Sequence, residues 1–117
     1  MPGQAAVVHE PNELQARIDE LAARAVAGED DPALVRRIED VLAQGYAEAL
    51  QLDAQRRRLD RQMDELAESL TDMETLGCLR RLALQARTLD GHARELRARL
   101  SVLRERFVAL GGTQLAG

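Results

Sequence analysis

Few side chains in this 117-residue chain could do chemistry, and their spacing limits which kind. Cys78 is the only cysteine, and His9 and His92 are the only histidines. One thiol can form neither an intrachain disulfide nor a cysteine-rich zinc site. The two histidines stand far apart, with none of the i, i+4 spacing that puts two ligands on one helix face. No Ser/His/Asp set, glycine-rich phosphate loop or Glu-x-x-His pair can be read from the chain. Catalysis, a metal and a cofactor are therefore not expected.

Charge offers more. Asp64, Glu65, Glu68, Asp72 and Glu74 crowd one stretch, and Asp72 with Glu74 could present carboxylates to a basic partner. All 16 basic residues are Arg. Arg56, Arg57, Arg58 and Arg61, with Arg80, Arg81 and Arg87, could form a stripe for a phosphate backbone. Against that, Asp53, Asp60, Asp64, Glu65 and Asp90 are interleaved with them, and no aromatic stands near to stack on bases. A stripe so neutralised reads as a solvated face, so nucleic acid is not an expected partner. The formal net charge of −4 hides a gradient: residues 76–117 carry eight Arg and three acids, and residues 1–50 carry four Arg and ten.

The elements that must position these residues are helices. Leu and Ala supply 19 residues each, aromatics only two, and no Val/Ile/Thr runs alternate as strands would. Residues 1–11, with Pro2, Gly3 and Pro11, read as a flexible arm. A first helix is expected over about 13–27, from the stripe Leu14, Ile18, Leu21 and Ala25, with Asn12 and Gln15 as a capping box and Gly28 as its stop. Asp31 and Pro32 suit the start of a second helix over 32–70. A third is expected over 72–110, opened by the capping pattern Thr71–Glu74 and closed by Gly111-Gly112. Residues 12–112 make one helical domain on this reading, and 113–117 a flexible tail.

The long helices keep a heptad. Val35, Ile38, Leu42, Gly45, Ala49, Leu52, Arg56, Leu59, Met63, Leu66 and Leu70 recur at steps of three and four, and so do Leu79, Leu82, Ala86, Leu89, Ala93, Leu96, Leu100, Leu103, Phe107 and Leu110. The phase breaks between Leu70 and Leu79. Folding the chain at Asp72-Met73 pairs residues whose numbers sum to 145, so that Gly45 meets Leu100, Leu52 meets Ala93 and Leu59 meets Ala86. Large against small is what interdigitation needs. Glu39 then comes level with Arg104, and Glu48 with Arg99, while Asp53 near Asp90 is a mismatch. The expected fold is all-α: a long antiparallel coiled-coil hairpin with the short first helix near its open end, on Leu34, Val41 or Val102. Arg56, alone among the charged residues, falls on the seam; it is expected to snorkel and pair with Asp53 or Asp60.

A hairpin with Asp72 and Glu74 at its turn resembles the coiled-coil fingers of Gre-type transcription factors, which carry an acidic pair at the tip and enter the polymerase channel. The resemblance covers the hairpin and these two residues; the second domain of those factors has no counterpart in these 117 residues. It implies a transcription-associated role.

Met1–Glu10 has neither a basic n-region nor a long apolar run, and no 18-residue apolar window occurs anywhere. A cytoplasmic protein without a membrane partner is expected. Leu34, Val41, Leu50, Leu76, Leu84 and Val102 lie off the main seam, and the first helix can cover only those near the open end. The remainder points to protein partners and to a homodimer. The leading expectation is a non-enzymatic coiled-coil adaptor, scaffold or regulator. A transcription-associated factor, working through its acidic tip or Arg face, is the second. The candidate contact residues are Asp72, Glu74, Arg57, Arg58, Arg87, Leu50 and Leu84.

Overall fold

A computed structural model describes residues 2–28, 31–69 and 72–111, with side chains from residue 13 onward. The described residues form three α-helices and no strand: α1 (Pro2–Val26), α2 (Pro32–Glu68) and α3 (Met73–Ala109). Their packing is consistent with a hairpin.

Local chemistry sets the helix ends. At the end of α1, Gly28 adopts φ +77°, a left-handed conformation that a β-carbon opposes, and its N–H donates to the Ala25 carbonyl at 3.1 Å. Asp31 Oδ1 accepts the Ala33 N–H at 3.0 Å, and Pro32 takes the first helical position, where no N–H is needed. At the start of α3, Asp72 Oδ1 accepts the Thr75 N–H at 2.8 Å. Asp72 thus caps α3; the expected cap Thr71 lies outside the described residues, as does the 113–117 tail. Gly111, with φ +86°, follows the end of α3.

One boundary differs widely from the sequence reading. The α1 backbone is helical from Pro2, well ahead of the expected start near residue 13, so residues 2–11, read as part of an arm, are helix. Gln4, Ala5 and Ala6 are good helix formers, and Pro11 removes one donor without ending the run. The other helices match closely: α2 stops two residues short of Leu70, and α3 begins at Met73.

The chain gathers into two compact units, Met1–Ala47 with Leu96–Gly117, and Glu48–Glu95. The first unit draws on all three helices. Leu14, Ile18, Leu21 and Ala25 of α1, Leu34, Ile38, Val41 and Leu42 of α2, and Leu96, Leu100, Leu103 and Phe107 of α3 are all buried. Leu34 and Val41 are covered, as the placement of the first helix requires. Val102 remains exposed, so α1 does not cover it. Asp19 of α1 pairs with Arg99 of α3, a link between helices that heptad matching of α2 and α3 does not reach.

The second unit has only two helical segments, and its interior differs accordingly. Ala49, Ala86 and Ala93 are buried, being small enough for one neighbouring helix to cover. Leu52, Leu59, Met63, Leu66, Leu79, Leu82 and Leu89 are only half-buried. Two helices can shield one seam between them, and the flanks of large side chains stay in contact with water.

Candidate functional site

Within the second unit, Arg56 extends from its seam position on α2 across to α3. Its Nε donates to Asp90 Oδ1 at 2.9 Å, and its Nη1 to Asp60 Oδ1 on its own helix. The hydrogen bond to Asp90 raises the guanidinium pKa above its ordinary value, with both carboxylates adding to the effect. The expected pairing with Asp60 is found, and Asp90 joins it from α3. Arg56 thereby supplies a cation where matching the helices had left two aspartates close to one another.

Asp72 and Glu74 open α3 and are exposed. The Asp72 carboxylate is already engaged within its own helix. The Thr75 backbone N–H, then the Thr75 hydroxyl, hold its pKa below the usual carboxylate range. Glu74 lies in the first turn, where the helix dipole favours an acid. Arg57, Arg58 and Arg87 are exposed on the helix surfaces. Leu50 and Leu84 are 68% and 62% exposed, high values for leucine in a helix.

The structure brings two of these candidates together. Arg58 and Leu84 line one groove of about 560 Å³, which also includes Gln55, Leu59, Gln62, Gln85, Thr88, Leu89 and His92. A second groove of about 570 Å³ involves Gln62, Glu65, Leu66, Ser69, Cys78, Arg81, Leu82 and Gln85. Leu50, Arg57, Arg87, Asp72 and Glu74 take no part in either. With the seam leucines half-buried, the space beside them stays open.

Much of the groove lining is neutral. Gln55 and Gln62 on α2 and Ser69 just past its end recur every seven residues, and Cys78, Gln85 and His92 do so on α3. Ser69 Oγ donates to the Glu65 carbonyl at 3.0 Å, and Thr88 Oγ1 to the Leu84 carbonyl at 3.1 Å, so both hydroxyls turn back on their own helices. Arg81 Nη2 donates to Cys78 Sγ at 3.1 Å. The ionisable side chains in the lining are Arg58, Glu65, Cys78, Arg81 and His92. Sequence reading missed this flank because neutral glutamines give no signal of a site; their seven-residue recurrence was the one available clue.

Among the described residues, no three His, Cys, Asp or Glu side chains gather as a metal site would need. No described helix is long and apolar enough to cross a membrane. Comparison with known protein families, with curated proteins and with solved structures gives no match to this chain.

Proposed function

We propose that the chain is a non-enzymatic, cytoplasmic protein, built around an antiparallel coiled-coil hairpin, that acts through protein–protein contact as an adaptor, scaffold or regulator. One observation carries this reading: the second unit leaves its seam leucines half-buried and Leu50 and Leu84 in water. Apolar surface that a chain does not cover itself is what an interaction surface offers. The antiparallel arrangement draws support from the grooves. Gln55, Leu59 and Gln62 accompany residues 84–92, and Glu65, Leu66 and Ser69 accompany residues 78–85, so one helix ascends as the other descends.

The transcription-associated reading is the weaker one. Asp72 is engaged in capping α3, and Arg56, at the start of the Arg run, is engaged by Asp60 and Asp90. A direct test combines Leu50→Arg with Leu84→Arg. Partner capture from the native host should be lost in this variant and retained when Asp72→Asn and Glu74→Gln are combined. The opposite pattern would favour the acidic tip.

A further inference from the structure

We infer that the groove-bearing flank of residues 48–95 is the docking face for a second copy of this chain, two hairpins pairing into a four-helix bundle. The inference rests on the hairpin reading above and adds the occupant and its geometry.

The position of the flank in the heptad is the first argument. On α2 it is the seven-residue series that runs through Leu34, Val41, Glu48, Gln55 and Gln62. In the first unit, Leu34 and Val41 are buried, and Leu21 of α1 lines a cleft with Val41. On α3 the series includes Arg99, which meets Asp19 of α1. In the first unit, then, this flank is where a third helix packs. In the second unit the same positions are neutral from Gln55 to Ser69 and from Cys78 to His92, with Glu48 the one charged member, and they line open grooves beside half-buried leucines.

The second argument is self-complementarity, which a two-fold interface demands because the same patch serves both partners. The patch offers a protruding apolar side chain, Leu84, and a groove floored by Leu59 and Leu89 to receive one. Glu65 and Arg81 border one groove on opposite helices. A two-fold axis parallel to the helices lays Arg81 of each copy over Glu65 of the other, forming two ion pairs, and sets Leu84 of each copy beside Leu59 and Gln62 of the other. Gln62 and Gln85 amides, which both donate and accept, can pair with their own kind across the axis.

Size agrees. Helical segments of about 21 residues are about 31 Å long, and two side by side are about 20 Å wide. Pairing such faces removes about 1,200 Å² from water in total, at the lower end of specific interfaces. A dissociation constant in the micromolar range is expected.

Sedimentation equilibrium of the full chain under reducing conditions, from about 5 to about 200 µM, tests the inference. The wild type should show a reversible monomer–dimer equilibrium. Leu84→Arg should weaken it more than tenfold with helicity unchanged. Glu65→Arg and Arg81→Glu should each weaken self-association by about tenfold, since each sets like charges against each other twice. Mixed together, these two variants should form a heterodimer close to wild-type strength, because every facing pair is again opposite in sign. A wild-type chain that stays monomeric at the highest concentration overturns the inference but leaves a contact surface for a foreign protein intact. So does a dimer indifferent to Leu84→Arg, or charge variants that fail to rescue one another. Failure of the hairpin itself would appear separately, as interchain rather than intrachain disulfides when Glu39→Cys and Arg104→Cys are combined and oxidised.

Discussion

Gly45 of α2 and Leu100 of α3 approach so closely that a β-carbon on Gly45 would overlap Leu100 Cδ2 and stand 3.2 Å from its Cγ and Cδ1. Leu100 is buried and cannot swing into solvent. Glycine in mid-helix usually costs about 1 kcal/mol relative to alanine. Here the missing side chain lets two helices come together.

Gly45→Ala should therefore destabilise the protein by about 1 kcal/mol, overpacking of roughly 2 kcal/mol outweighing the gain in helix propensity. Leu100→Ala should cost about 3 kcal/mol through the cavity it leaves. The double variant should be less destabilised than the sum by at least about 1 kcal/mol, because the new methyl enters the vacated space. Urea denaturation of the four proteins measures the coupling.

Arg56→Leu should raise the melting temperature by a few degrees. It places an apolar side chain on the seam, and Asp60 and Asp90 stand exposed enough to be hydrated without their partner. Circular dichroism melts at low and high salt check this; the wild type should be the more salt-sensitive of the two.

Asp72→Ala should lower the melting temperature by a few degrees, and Asp72→Asn by less, because asparagine also caps. The two differ from wild type in their dependence on pH. The native pKa of Asp72 is depressed, so its charge-dependent contribution is fully present above the ordinary carboxylate value near 3.9 and is lost as pH falls through the lower native value. Melting curves between about pH 2 and pH 6 should show the wild-type advantage over Asp72→Asn shrinking only toward the acid end.

Combining Glu39→Cys and Arg104→Cys in a Cys78→Ser background should give an intrachain disulfide on mild oxidation, seen as faster migration on a non-reducing gel. Predominantly interchain products would replace the hairpin with a longer or exchanged coil.

Removing residues 1–28 should uncover Leu34, Ile38, Leu100 and Leu103, which are buried in a core shared with α1. Light scattering should show association that Leu84→Arg does not suppress, distinguishing this newly bared surface from the groove flank.

The legible parts of the structure were those that repeat. Heptad spacing placed Gly45 opposite Leu100, and capping chemistry at Asp31 and Gly28 bounded two helices to within a residue or two. Arg56 to Asp90 escaped the matching because only seam residues were paired, and Asp90 stands beside Leu89, the seam residue level with Arg56. Asp19 to Arg99 escaped it because α1 shares no continuous heptad with α3, so nothing in spacing sets which of its residues face that helix. The groove was invisible for a different reason. A heptad identifies the seam, and how far two helices leave its leucines uncovered depends on whether a third helix is present.

The unequal burial of the two units has a kinetic consequence. Backbone amides exchange with solvent through openings whose cost scales with the apolar contacts broken. Amides of residues 48–95, held over half-covered leucines, should exchange sooner than those around Ile38, Leu100 and Leu103. If a second copy closes over that flank, the lag between the two sets should narrow as protein concentration rises, since association protects only the state that binds. The slowest protons would then report on the three-helix core, and the faster ones on how crowded the solution is.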